Sequence, residues 1–260
     1  MQFPPRQLSS LMKSIILWLL TLALSFHAGN TAASIVVGGT RVLYPLQERE
    51  VSVKLVNNGS LPALVSAWTD RGDQNDYSEA NPAFILSPPV FRMEPGENQV
   101  LRVIRIPEPV PLDRESVYWL NITEVPPGSA RTAEGLNGMQ LALRTRIKVF
   151  VRPPNLLGRP SEAAASLRWK VVDINDRVAL SVHNPSSYHV SIAQLAIGTD
   201  ADKVDVKLAS TMVAPGTSLD IPLEATDVSA LGSGLDRSHI FFSAIDDYGV
   251  PRPHEAVLTP

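Results

Sequence analysis

Met139 to Pro153 reads MQLALRTRIKVFVRP. Its first half sets Met139, Leu141 and Leu143 against Gln140, Ala142 and Arg144. A large apolar residue at every second position is the period of a strand with one greasy face. Its second half interleaves Arg144, Arg146, Lys148 and Arg152 with Ile147, Val149, Phe150 and Val151. Pro153 and Pro154 then stop the ladder, because proline has no backbone N–H to donate. The stretch predicts one strand from Met139 to Arg152, well beyond the usual length of about five or six residues. Such length suggests a strand that does something besides closing a core.

Outward from this strand the chain keeps the same grammar. On the N-terminal side, Val51, Val53 and Leu55 alternate with Ser52 and Lys54 before the turn Asn57-Asn58-Gly59. Further strands are expected at Leu64 to Trp68, Val90 to Met93, Val100 to Ile106 and Ser116 to Val125. Glu94-Pro95-Gly96-Glu97 is a turn by composition. On the C-terminal side, Pro153-Pro154-Asn155 to Arg159-Pro160 reads as a linker, and a second strand series follows. Its members are Leu167 to Val172, Val178 to Val182, Tyr188 to Ile197, Val204 to Leu208 and Ile240 to Ala244. Asn184-Pro185, Pro215-Gly216 and Asp246-Asp247-Tyr248-Gly249 punctuate it. No long stretch carries a 3.6-residue stripe. Short strands at regular spacing without helices predict an all-β protein of two β-sandwich domains, 34–153 and 154–260, with no convincing sequence repeat between them.

The first thirty-three residues stand apart from that fold. Arg6 and Lys13 precede the apolar run Ile15 to Leu24, and Thr31-Ala32-Ala33 supplies small residues for a signal-peptidase site. The run is about half of the roughly 20 apolar residues that a membrane span needs. A cleaved signal peptide over residues 1–33 is therefore expected, with Ser34 as the new first residue and no membrane insertion after cleavage. The chain has no cysteine. An exported chain without disulfides must rely on its core, which fits a bacterial periplasm better than a eukaryotic secreted context. Asn58-Gly-Ser and Asn121-Ile-Thr match the glycosylation pattern, and both are read as chance. A formal net charge of −3 over 260 residues gives no reason to expect nucleic-acid binding.

A search for catalysis comes up nearly empty. His183, His189, His239 and His254 form no metal-ligand pattern. Gly232-Ser233-Gly234 is not a nucleophile elbow, and Gly38-Gly39-Thr40 lacks the lysine of a phosphate loop. Asp70 to Asp76, DRGDQND, lacks the glycine and glutamate of a calcium loop and reads as a solvated hairpin tip. No catalytic residue, metal or cofactor is expected.

Taken in order, Trp68, Pro88-Pro89, Arg92-Met93-Glu94-Pro95-Gly96, Asp113 to Ser116, Tyr118 to Ile122 and Pro126-Pro127 resemble the first-domain landmarks of the periplasmic pilus chaperones. Asn184-Pro185 and Asp247-Tyr248-Gly249 resemble the second-domain landmarks of that same PapD-like family of the chaperone–usher pathway. The resemblance implies two immunoglobulin-like β-sandwich domains in an L or boomerang with a cleft between them. It implies that Arg41 and Lys148 anchor the C-terminal carboxylate of a pilus subunit. Met139, Leu141 and Leu143 become donor-strand residues, lent to a subunit that lacks the last strand of its own sandwich. Glu115, Arg152 and Asp247 become an ion network between the domains. The implied partners are pilus (fimbrial) subunits and an outer-membrane usher, and the implied role is periplasmic, with no cofactor and no enzyme activity.

One geometric difficulty goes with this assignment. Strict alternation puts Lys148 on the strand face opposite Leu143. Either a bulge or strong twist re-aims one of them, or the cleft lies in the plane of the sheet. Two alternatives stay open: a structural β-sandwich protein such as a pilus subunit or adhesin, and a periplasmic metalloenzyme on a sandwich scaffold.

Overall fold

The computed structural model describes residues 34–72, 83–127, 141–175, 177–199, 203–208, 211–226, 229 and 239–258. Nine strands precede the linker: β1 (Ile35–Val37), β2 (Arg41–Pro45), β3 (Glu50–Asn57), β4 (Ala63–Asp70), β5 (Phe84–Ser87), β6 (Val90–Met93), β7 (Asn98–Arg105), β8 (Ser116–Val125) and β9 (Leu143–Arg152). They form two sheets, in the orders β1-β3-β7-β5 and β2-β9-β8-β4-β6. The chain changes sheet between β1 and β2: β1 pairs antiparallel with β3, whereas β2 pairs parallel with β9.

Alternation explains the core between these sheets. Tyr118, Leu120 and Ile122 of β8 and Ile147, Val149 and Val151 of β9 point inward from one sheet. Val53, Leu55, Leu101 and Val103 meet them from the other. Each such side chain contributes roughly 1.5–3 kcal/mol when taken out of water. Phe84 sits between Tyr44 and Tyr118, with ring centroids 5.4 and 5.2 Å away. The buried Tyr44 hydroxyl donates to Arg49 O at 2.8 Å and accepts from Arg105 N at 3.2 Å, so its polar end is satisfied.

Beyond the linker lie one helical turn, α1 (Pro160–Ala163), a 3-10 turn at Ala164–Ser166, and eight strands. These are β10 (Arg168–Asp173), β11 (Val178–His183), β12 (Val190–Gly198), β13 (Lys203–Asp205), β14 (Thr211–Val213), β15 (Ser218–Pro222), β16 (His239–Ile245) and β17 (Pro251–Val257). One sheet runs β10-β11-β15 and the other β13-β12-β16-β17, with β14 also on β12. Trp169, Leu180, Ile197 and Ile240 are fully buried in a second core, separate from the first.

The two sandwiches share a device that spans each of them. Asn57 N donates to Glu97 O at 3.0 Å and Gly96 N donates to Asn57 O at 2.8 Å; Asn184 N donates to Thr217 O at 2.9 Å and Gly216 N to Asn184 O at 2.8 Å. Each asparagine is fully buried, and its Nδ2 satisfies two further carbonyls: Leu61 and Met93 for Asn57, Tyr188 and Val213 for Asn184. Gly96 and Gly216 each follow a proline and take positive φ, 77° and 67°, which a side chain would disfavour. Asn57 with Pro95-Gly96 and Asn184 with Pro215-Gly216 are thus a repeat that the sequence carried in two short matches.

The expected strands at 51–55, 64–68, 90–93, 100–106, 116–125, 167–172, 178–182, 188–197 and 240–244 all fall on observed ones. Three expectations need correcting. The strand expected at 204–208 is observed only as β13, which ends at Asp205. The long strand begins at Leu143, with Leu141 and Ala142 preceding it; residues 139–140 lie outside the described residues. A helical turn, α1, is present where none was expected; Ala163 and Ala164 are buried in the second core. Among the described residues, no helix is long and apolar enough to cross a membrane, and no cluster of acidic, histidine or cysteine side chains is arranged to hold a metal.

Candidate functional site

The parallel register of β2 and β9 puts Arg41 directly beside Lys148. β2 covers only Lys148 to Arg152 of its neighbour, so among the described residues no strand pairs with Leu143 to Ile147 on that edge. An open strand edge therefore runs into a pair of adjacent cations.

Neither cation has an ion-pair partner among the described residues. Lys148 Nζ lies 3.1 Å from Ser191 Oγ and 5.4 Å from the centre of the Trp119 ring. Burial, and then repulsion from Arg41, pushes the Lys148 ammonium down to about 8. The Arg41 Nη1 donates to Ile245 O at 3.0 Å, its guanidinium packs 5.6 Å from the Phe150 ring centre, and its Nε is buried without a hydrogen-bond partner. Burial lowers the Arg41 pKa, and the negative charges of Asp247, Asp246 and Glu115 draw it back part of the way. Two half-buried like charges and an orphaned donor cost free energy unless an anion arrives. Arg41 also borders a cavity of about 410 Å3, whose other walls include Phe150, Arg152, Tyr188, His189 and Asp247.

Other cations of the strand are already neutralised. Arg146 Nη2 reaches Asp70 Oδ1 at 2.6 Å and packs 4.2 Å over the Trp119 ring. Arg144 Nη2 lies 3.6 Å from Asp70 Oδ2 and 2.6 Å from Asn121 Oδ1, with its guanidinium over Trp68. Asp70 is therefore no solvated loop tip: its side chain is 7% exposed. Residues 73–76 of that stretch lie outside the described residues. Asn121 is fully buried, which excludes it as a sugar acceptor in the folded chain.

Arg152 brings Glu115 and Asp247 together. Its Nε donates to Glu115 Oε1 at 2.7 Å, while Nη1 and Nη2 grip Asp247 Oδ2 and Oδ1 at 2.7 and 2.8 Å. Glu115 Oε2 accepts from His189 N at 2.9 Å. Burial works against the Arg152 charge, but the two carboxylates outweigh it and hold its pKa above the ordinary value. Close by, Gly249 packs so tightly on Thr40 Oγ1 that it has no room for a side chain.

Of the three apolar residues singled out at the start of the long strand, Leu141 is 63% exposed and Leu143 45% exposed, so neither is sealed in the protein's own core. Met139 lies outside the described residues. β9 pairs with β8 from Leu143 to Val151 without a register shift, so the suggested bulge is absent and Lys148 does face away from Leu143. The sequence reading missed Ser191, Trp119 and Asp70, whose roles depend on pairings no local pattern reveals. The open edge was also out of reach, since it depends on where β2 starts.

Two sandwiches in contact thus present an open strand edge that ends at two cations without ion-pair partners among the described residues. Residues 34–157 match the family model of the pili and flagellar-assembly chaperone PapD N-terminal domain, and residues 162–256 that of the pili assembly chaperone PapD C-terminal domain. The chain belongs to the PapD family of pilus-assembly chaperones. It is 37% identical over 231 residues to chaperone protein FimB/FhaD of Bordetella pertussis, covering 87% of this chain and 88% of that one. It is 35% identical over 227 residues to the probable fimbrial chaperone YadV of Escherichia coli, covering 85% and 89%. The crystal structure of the YadV chaperone superposes with a TM-score of 0.72 at 32% identity, over 87% of this chain and 100% of that one. A SafB chaperone solved with Salmonella enterica SafA pilin gives a TM-score of 0.70 at 25% identity, over 88% and 99%. The chain is thus a non-enzymatic chaperone of pilus assembly, and these matches support neither the structural-subunit nor the metalloenzyme alternative.

Proposed function

We propose that the chain captures pilus subunits in the periplasm by strand donation and passes them to an outer-membrane usher. The single observation behind this reading is the open edge of β9 that ends at Arg41 and Lys148. A subunit strand adding to Leu143–Ile147 lies in the plane of the sheet. Its last residue arrives where β2 begins, and its terminal carboxylate meets both cations. Lys148 and Leu143 then serve one ligand from opposite faces, because the ligand runs along the edge rather than over either face. Charge-assisted hydrogen bonds to the carboxylate contribute about 1.5–3 kcal/mol each and relieve the two like charges.

Met139, Leu141 and Leu143 insert into the groove that the incomplete subunit leaves open, each contributing roughly 1.5–3 kcal/mol on burial. The SafB relative solved with a bound pilin supports a subunit as the partner. Glu115, Arg152 and Asp247 hold the two sandwiches at the angle that keeps Arg41 and Lys148 accessible. Release needs no nucleotide, since a subunit strand that fits better can displace the donated one. Removal of residues 1–33 by signal peptidase delivers the chain to the periplasm.

Co-expression with exported subunits followed by affinity capture tests this reading. Arg41→Ala and Lys148→Ala each lose captured subunit while circular dichroism shows an unchanged sandwich signal. Wild-type capture by both folded variants rejects the carboxylate anchor.

A further inference from the structure

β8 presents alternate residues to the first core, and the series Tyr118, Leu120, Ile122 ends with an acid, Glu124, which is 7% exposed. A buried carboxylate requires a cation or a full set of donors. Among the described residues no lysine, arginine or histidine side chain pairs with it. Its partners all come from the start of the first sandwich. Ser34 N donates to Oε1 at 3.1 Å, Ser34 Oγ to Oε2 at 2.8 Å, and Ile35 N to Oε2 at 2.6 Å. Ser34 is held there from its other side as well: Asn58 N donates to Ser34 O at 2.7 Å. Gly59 leaves the space, since a Cβ on it would lie 2.6 Å from the Ser34 Cβ. Asn57, fully buried, fixes this turn by accepting from Gly59 N at 2.9 Å.

We propose that Glu124 is a receptor for the α-ammonium of Ser34, created when the chain is cut after Ala33. The proposal rests on that cleavage reading. In the cut, signal peptidase adds water across the Ala33–Ser34 peptide bond: Ala33 leaves with the carboxylate, and Ser34 keeps the nitrogen as an ammonium. The uncut chain can offer Glu124 only a neutral amide N–H at that position, so the buried carboxylate is met there by neutral donors alone. After the cut the same nitrogen carries the missing positive charge, and a charge-assisted bond replaces a neutral one. Maturation thereby tightens β1 onto the sandwich. It does so at the end where donation begins, because Glu124 pairs in register with Leu143, the first residue of β9. The unprocessed chain keeps a less stable first sandwich, which suits a polypeptide that must cross a membrane unfolded.

The test uses the exported full chain and a variant with one glycine inserted between Ala33 and Ser34, each alone and with Glu124→Gln. Intact mass of the periplasmic proteins reads the first residue. Urea unfolding at pH 7 is expected to show a folding equilibrium constant at least tenfold lower for the glycine-extended chain. Glu124→Gln is expected to weaken the Ser34-first chain by a similar factor and the extended chain far less. A free α-amino group titrates at about 7.7–8.0. Pairing raises that value, so the advantage of the Ser34-first chain is full at pH 7 and vanishes by about pH 10; a merely steric effect of the glycine does not vary with pH. A Ser34-first chain no more stable than the extended one, or a difference independent of pH, overturns the ammonium receptor and leaves the cleavage reading intact. A mature chain starting elsewhere overturns both.

Discussion

Lys148 carries its charge at a cost set by its surroundings. Burial and the neighbouring Arg41 hold it near 8, against 10.5 for an ordinary lysine. The unfolded chain therefore binds that proton more tightly than the folded one, and stability rises as pH climbs from about 8 to 10.5. Lys148→Met removes the buried charge while keeping much of the stem's volume. It is expected to raise Tm at pH 7 and to flatten the rise above pH 8, measured by calorimetry across that range. Subunit capture by the same variant is expected to fall at least tenfold. A lower Tm, or undiminished capture, contradicts the reading of Lys148 as a strained, functional cation. Lys148 was visible in the sequence as one cation among four on the strand. What set it apart is the company kept by the others: Arg144 and Arg146 share Asp70, and Arg152 holds Glu115 and Asp247. Those partners lie far away in sequence, so no spacing rule could sort the four.

At the scale of the element, β9 divides into a half that belongs to the first core and a half that does not. Ile147, Val149 and Val151 are sealed, whereas Leu143 is exposed although it continues the same face. Leu143→Asn is therefore expected to shift urea-unfolding stability by no more than about 0.5 kcal/mol, as for a surface site. Subunit capture is expected to weaken roughly tenfold, in line with losing one buried apolar side chain. A stability loss of several kcal/mol would mean that the residue serves its own fold instead. The strands that sequence reading located are mostly interior ones, with two apolar neighbours and clear alternation. The strands it left out, β1, β2, β5, β14, β15 and β17, each lie at a sheet edge, where one neighbour suffices and the pattern fades. β17 even contains Pro251 and Pro253, tolerable because among the described residues no strand pairs with its far side.

For the molecule as a whole, two separate cores are tied together by a set of polar contacts among the described residues. Arg152 bridges Glu115 to Asp247, Glu115 N donates to Ser187 O at 2.9 Å, and Arg41 reaches Ile245 O. Removing the arginine strands Glu115, whose side chain is 1% exposed, without its cation. Arg152→Leu is expected to cost about 3–5 kcal/mol and to split thermal unfolding into two calorimetric transitions, one per core. A single unshifted transition would show that the cores are coupled by something other than this network. The two-sandwich plan was legible because it follows from strand spacing and the proline-rich linker. The relation between the halves was not, since it survives only as Asn57 with Pro95-Gly96 and Asn184 with Pro215-Gly216, too little for a pattern search.

Gly249 closes the matter of how finely the halves are fitted. It has φ +84° and sits against Thr40, the residue just before Arg41. A single methyl group there would act as a wedge, prising the β16–β17 turn away from the start of β2. The Arg41 guanidinium would then lose its hold on Ile245 O, and the proposed grip on an incoming tail would slacken although neither Arg41 nor Lys148 had changed.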